Sequence, residues 1–326
     1  MSCQPTSLWR QILRRNFTNW EKLADYLELD ANQRTAIIEC PRFPLNLPWR
    51  LAEKIQKKTL DDPILKQFLP TKQELDIAVR FIADPVGDSR FRLAEKLLHK
   101  YHGRALIVST GACAMHCRFC FRQNFDYETE NKNFDKELEI LKNDSSIHEV
   151  ILSGGDPLSL SNATLTSLLG QIATLPHVKR VRFHTRFPMG IPERIDEEFL
   201  ALLHNYPLQV WMVIHANHPR EFDADILASL KSLRLTGAVV LCQSVLLRGV
   251  NDSAEVLAEL MELLVDNGIL PYYLHQLDCV QGSQHFEVAE AEGRKLIQEI
   301  SAYLPGFAVP KYVREIAGEQ SKSSLL

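Results

Sequence analysis

No run in this sequence approaches the roughly 18 apolar residues that a membrane-spanning helix requires. The first residues, MSCQPTSLWRQILRRNF, lack both an apolar core and a small-residue cleavage site, so they do not read as a secretory leader. An excess of one charge is missing too. The 37 Lys and Arg are set against 41 Asp and Glu, a formal net charge of −4. That balance argues against a broad basic surface for nucleic acid or anionic lipid. No repeat of fixed period and no low-complexity segment is present. The expectation is a cytoplasmic globular protein with no nucleic-acid or membrane partner. At 326 residues, 45% of them hydrophobic, the chain suits one large domain with an appendage.

Cysteine is present, but not in pairs. Seven cysteines are an odd number in a chain too long to need disulfide staples, and a reducing compartment leaves them free for ligand chemistry. Three fall within STGACAMHCRFCFRQNF (residues 109–125), as Cys113, Cys117 and Cys120 in the spacing C-x3-C-x2-C. A fourth ligand is what the cluster lacks. Structural zinc takes four ligands, usually as two separated pairs, whereas Cys3, Cys40, Cys242 and Cys279 stand alone. His116 adjoins Cys117 and is awkwardly placed to share one tetrahedral ion with it. Inert core thiols do not suit so polar a loop. A four-iron cluster on three thiolates leaves one iron open to another ligand and accounts for the missing fourth.

Two patterns divide the chain. Up to about residue 95 it reads as a helical accessory region, as in NWEKLADYLELDANQRTAIIEC and PWRLAEKIQKKT, interrupted by Pro41, Pro44, Pro48 and Pro63. From Gly103 onward, six apolar runs (RALIVST, EVILSGG, KRVRFHT, QVWMVIHA, AVVLCQSVLL and LPYYLHQL) are each followed by a helix-period segment. Six strand–helix units predict a parallel α/β sheet with both strand faces buried. Periodicity alone fits either a (β/α)6 partial TIM-like barrel or an open doubly wound sheet. The polar motifs favour a barrel-type site, because the cysteines, GGDP, HTRFP, HANHP, QSVLLRGVND and HQLD each follow a predicted strand. Residues 1–95, 96–306 and 307–326 are the expected accessory region, barrel and carboxyl-terminal segment.

The cysteine spacing, on the loop after the first strand, resembles the signature of the radical S-adenosylmethionine (SAM) superfamily. KYHGRALIVSTGACAMHCRFCFR, ILSGGDPL, RFHTRFPMGIPERI, LPYYLHQLDCVQGSQHF and GFAVPKYVREIAGEQSK further resemble lysine 2,3-aminomutase. The likeness is greatest to the bacterial branch that makes (R)-β-lysine for modification of elongation factor P. It runs from about residue 60 to the end of the sequence. It implies a radical SAM partial barrel, three cofactors and an isomerase of the aminomutase type. The cofactors are a [4Fe–4S] cluster, SAM and pyridoxal 5′-phosphate.

Carried over residue by residue, the resemblance gives the cluster to Cys113, Cys117 and Cys120. It gives the SAM-facing segment to Ser153, Gly154, Gly155 and Asp156, and the Schiff-base lysine to Lys322. Arg104 and Tyr101, with Lys100 nearby, correspond to contacts of the pyridoxal group. Arg122 corresponds to the receiver of the substrate carboxylate, and Asp278 and Glu315 to the pair that holds the distal ammonium of L-lysine. Glu315 departs from the family's aspartate by one methylene. The sequence stops four residues after Lys322, without the longer zinc-binding segment of larger aminomutases, so no zinc is expected. The implied partners are L-lysine and a reductase or flavodoxin-type electron donor. A functional link to elongation factor P and its ligase is implied without a stable complex. The rival readings are an aminomutase acting on glutamate or arginine, an iron–sulfur electron carrier or redox sensor, and an RNA-associated radical methylase. Paired acids at 278 and 315 disfavour an anionic substrate side chain.

Overall fold

The computed structural model describes residues 7–127 and 133–326; Cys3 lies outside them. The amino-terminal region forms five short helices: α1 (Leu8–Leu13), α2 (Trp20–Tyr26), α3 (Ala31–Arg34), α4 (Trp49–Ala52) and α5 (Pro63–Lys66). A helical region interrupted by prolines was the expectation here, and local chemistry divides it into short pieces. Asn19 Oδ1 accepts from Lys22 N to start α2, and Asp30 and Gln33 cap α3 reciprocally. Asp62 accepts from Ile64 N and Leu65 N, while Pro63 takes the first position of α5, where no N–H is needed. These pieces share one hydrophobic core with the rest of the chain, running from Trp9 to Leu325. Trp9 meets Phe187 edge-on at 5.5 Å.

Ten strands form one sheet in sequential order. They are β1 (Arg92–Ala94), β2 (Leu97–Tyr101), β3 (Arg104–Thr110), β4 (Glu149–Gly154), β5 (Arg180–Thr185), β6 (Gln209–His215), β7 (Val239–Val245), β8 (Leu270–His275), β9 (Lys311–Arg314) and β10 (Ser323–Ser324). From β3 to β9 every neighbouring pair is parallel, and the six predicted runs correspond to β3 through β8. The sequence reading missed the antiparallel β1–β2 hairpin, the parallel strand β9 and the short antiparallel β10. The boundary expected between residues 95 and 96 falls inside that hairpin.

Strand order settles the choice that periodicity left open. A doubly wound sheet reverses its order at a switch point, and this one does not. Crossovers of one hand between sequential parallel strands place the helices on one face, so the sheet curls with its other face concave. The crossover helices are α6 (Asp135–Asn143), α7 (Asn162–Ala173), α8 (Phe187–Gly190), α9 (Glu197–His204), α10 (Ala224–Leu235), α11 (Ala254–Asp266) and α12 (Glu290–Ser301). Ser161, Asp196, Asp223 and Ser253 each accept a backbone N–H three residues on, fixing where α7, α9, α10 and α11 begin. The helix-facing side is apolar. The concave side carries polar as well as apolar side chains and is partly open, which is why β5 alternates half-buried and buried residues instead of burying both faces.

Candidate active site

The concave side holds the cavity. Alternate residues point into it from successive strands: Ile151 and Ser153 from β4, Arg182 and His184 from β5, Gln243 and Val245 from β7, Tyr273 and His275 from β8. The loop after β3 adds Cys113, Cys117 and Cys120, and the chain end adds Glu315 and Lys322. Every residue that the sequence reading assigned to the site lines this one cavity.

The three thiols are free, half-buried and unpaired with one another. Burial raises all three pKa values, that of Cys120 to about 11. A metal centre must therefore displace protons to bind them. Two glycines set the loop's position. A Cβ at Gly155 would lie 2.4 Å from the Ala112 carbonyl oxygen, and one at Gly154 would lie 2.8 Å from that of Thr110. Gly154 also has a φ of +113°, which favours glycine. The pair lets the end of β4 pack directly under the start of the cysteine loop. Gly155→Ala is therefore expected to lower both the thermal midpoint and the iron bound per chain. Unchanged iron content would show that the loop yields to the added methyl.

Asp156 lines the cavity with its carboxylate oxygens already engaged. Its Oδ1 accepts from Leu158 N and Thr185 Oγ1, and its Oδ2 accepts from Arg186 N and Phe187 N. The carboxylate joins the loop after β4 to the loop after β5, and burial raises its pKa to about 6. Arg186, fixed this way through its backbone, directs its Nη1 to Cys117 Sγ at 2.8 Å.

A chain of alternating charges crosses the cavity wall. Arg122 Nε donates to Asp88 Oδ2 at 2.8 Å, and its Nη1 lies 3.2 Å from Ser153 Oγ. Lys100 Nζ bridges Asp88 Oδ1 and Glu315 Oε1, both at 2.8 Å. Lys322 Nζ pairs with the other oxygen of Glu315. Its two lysine neighbours hold the Glu315 carboxyl at about 2 despite burial. Asp278 is different. It has no ion pair and no side-chain hydrogen bond among the described residues, and burial, only partly offset by Lys322, raises its pKa to about 7. Arg104 is the converse case: it stacks on Tyr101 at 4.6 Å and has no carboxylate in ion-pair range among the described residues. Among the described residues of the cavity, Arg104 is thus a cation without an ion pair and Asp278 a carboxyl with neither ion pair nor side-chain hydrogen bond.

Three histidines add neutral polar edges. Burial lowers the pKa of His184, His215 and His275, that of His215 to about 3, so all are uncharged near neutrality. The Nε2 atoms of His184 and His215 are buried without a hydrogen-bond partner among the described residues.

Residues 107–270 match the family model described as the Radical SAM superfamily. The chain is 39% identical to the L-lysine 2,3-aminomutase of Escherichia coli K12, covering 97% of this chain and 94% of that protein. It is 38% identical to the enzyme of that name from Haemophilus influenzae, with the same coverage. This chain belongs to the lysine 2,3-aminomutase family. The Clostridium subterminale aminomutase is 31% identical over 98% of this chain and 77% of its own length. A crystal structure of Streptococcus suis SuiB bound to S-adenosylmethionine shares the fold, with a TM-score of 0.52 at 16% identity over 67% of this chain and 52% of that one. Like the family, this aminomutase uses a [4Fe–4S] cluster, SAM and pyridoxal phosphate.

The cavity fits those groups. Its three thiols line one space, the donor set that an iron–sulfur cluster takes. Unpaired Arg104 suits a phosphate, and Lys322 borders Tyr273, its Nζ 6.0 Å from the ring centroid. Sequence reasoning missed Asp88, Arg182 and the histidines, and it quoted HTRFP without giving Arg186 a role. Asp88 carries no local signal: its partners are 12, 34 and, through Lys100, 227 residues away along the chain. The histidines and Arg186 had one signal in common, the ends of predicted strands.

Proposed function

We propose that this aminomutase converts L-lysine to (R)-β-lysine and supplies it for the modification of elongation factor P. The observation that carries the substrate assignment is Asp278, the cavity carboxylate without a partner among the described residues. A substrate ammonium supplies the missing charge. The R configuration and the link to elongation factor P rest on the resemblance to that branch, and the electron donor is taken to be a reductase or flavodoxin-type protein.

Cys113, Cys117 and Cys120 would hold the cluster, Ser153, Gly154 and Gly155 would border SAM, and Lys322, Tyr101 and Arg104 would hold pyridoxal phosphate. Together these groups supply the one-electron chemistry that removes and returns a substrate hydrogen and the carbonyl carbon that carries the migrating nitrogen. The chain's own work is positioning. Arg122 gives its Nε–H to Asp88 and one Nη1–H to Ser153, and its Nη2, without a hydrogen-bond partner among the described residues, is left for a carboxylate. Asp278 and Glu315 would fix the distal ammonium, so that the substrate is held at both ends. The neutral histidines add no competing charge.

An ammonium 4 Å from a carboxylate gains about 4 kcal/mol at an effective dielectric of 20, before desolvation is subtracted. Removing one member of a buried pair costs about 3–5 kcal/mol. Asp278→Asn is thus expected to lower kcat/KM for lysine by two to three orders of magnitude. The pH dependence has a definite sign. Below a pKa of about 7 the Asp278 carboxyl is protonated and cannot pair, so kcat/KM for lysine rises from pH 6 to pH 8. Asp278→Asn removes that rise, and a rise that persists in the variant would assign it to another group. Chiral analysis of the anaerobic product tests the stereochemistry: S product, or no β-lysine, would contradict the proposal.

A further inference from the structure

The motif HTRFP places Arg186 at the end of β5, and neither cofactor binding nor substrate binding as described uses its side chain. It is an unusual arginine. Its side chain is 6% exposed, and its guanidinium lies between the rings of Phe68 and Phe119, at 5.0 and 5.5 Å. Nη2 donates to Glu221 Oε2 at 2.8 Å and to Gln67 Oε1 at 2.6 Å. Glu221 is fully buried, and its Oε1 accepts from the backbone N–H groups of Asn217 and His218. Asn217 also donates to Gln67 Oε1. The remaining terminal nitrogen points at Cys117 Sγ, 2.8 Å away.

Glu221 and Gln67 engage only Nη2, and the buried Nε has no partner among the described residues. Here a buried cation is held by an anion on one side and aimed at a proposed cluster ligand on the other. Asp156 fixes its backbone N–H and thereby the direction of approach. Hydrogen bonds to ligand sulfur and nearby charge are among the terms that set an iron–sulfur potential. Reduction adds one electron to the cluster, and a cation at a ligand sulfur stabilises the reduced form.

We propose that Arg186 is a positioning residue that raises the cluster's reduction potential through its hydrogen bond to Cys117, and that Glu221 sets how much of its charge the cluster feels. The inference rests on the assignment of Cys117 as a cluster ligand. It deepens the proposed function by assigning control of the reducing step to the loop after β5.

The test is an anaerobic redox titration of the reconstituted protein without SAM, followed by visible absorbance and electron paramagnetic resonance, with iron and sulfide assayed in each variant. Arg186→Gln is expected to keep its cluster and to become harder to reduce. At the poise that half-reduces the parent, its reduced-to-oxidised ratio falls about tenfold, equivalent to about 59 mV for one electron. Arg186→Lys, which retains the cation, shifts less in the same direction. Glu221→Gln, which removes the counter-anion, shifts the opposite way and becomes easier to reduce. Opposite signs are the decisive feature, because simple loosening of a structural network would move both variants alike. Shifts of the same sign, or an assembled Arg186→Gln cluster at the parent's potential, would overturn the proposal. If Arg186→Gln does not assemble, Glu221→Gln decides alone: a rise supports the proposal, and an unchanged or lower potential overturns it. Loss of the cluster in both would make the pair an assembly determinant and would likewise overturn it. Cys117→Ala is the separate control: an intact cluster there would refute the ligand assignment and with it the premise of the proposal, a failure distinguishable from the Arg186 and Glu221 outcomes.

Discussion

Cys113→Ala, Cys117→Ala and Cys120→Ala are each expected to lose the iron–sulfur absorbance and all turnover, while Cys242→Ala and Cys279→Ala retain both. Three thiolates are the fewest that hold a four-iron cluster with one iron left open, so no member of the set is redundant. The other two thiols occupy different settings. Cys242 is buried in β7 with Sγ 4.0 Å from the Ala216 carbonyl oxygen, and Cys279 packs at the edge of the cluster of Phe81, Phe119 and Phe286. Neither lies on the loop after β3. Turnover of Cys242→Ala and Cys279→Ala should stay within about threefold of the parent, less than 1 kcal/mol in the barrier. Loss of the cluster in either one would mean that the ligand set is wrong.

The second large effect falls on Lys322. Its Nζ pairs with Glu315 in the structure, and that nitrogen cannot remain an ammonium in the pair once it is bonded to a carbonyl carbon. Attachment of pyridoxal phosphate at Lys322 would alter this pairing, while Lys100 would remain on the other oxygen of Glu315. Borohydride reduction of the protein with pyridoxal phosphate is expected to fix the cofactor to the peptide containing Lys322. Lys322→Ala should lower turnover at least about a thousandfold, near 4 kcal/mol. Lys100 is the cavity's other lysine, and Lys311 is an exposed residue of β9. Label on either would contradict the assignment.

How far the sequence led can be read from particular elements. RALIVST and the five runs after it became strands because continuous β-branched and apolar residues have few other ways to be buried. The segment VPKYVR was read as a motif, and yet it forms β9, whose four residues are too few to show a period. The helical character before residue 95 was legible but the helix starts were not, because charge and propensity do not show where Asn19, Asp30 and Pro63 begin new turns. In the site, the C-x3-C-x2-C spacing is local and so was legible. The hydrogen bonds of Asp156 were not legible, because SGGD does not reveal that Thr185, Arg186 and Phe187 take its oxygens from 29 to 31 residues away. The network of Arg122, Asp88, Lys100 and Glu315 exists only after folding.

The central claim is that this chain isomerises lysine by radical chemistry. The most direct measurement is anaerobic reconstitution with iron and sulfide, followed by incubation with SAM, pyridoxal phosphate, a chemical reductant and each amino acid in turn. The account predicts β-lysine from L-lysine, dependent on every added component, with glutamate and arginine turned over far less. An assembled cluster that cleaves SAM but yields no β-lysine, or that isomerises glutamate or arginine in preference, would contradict it.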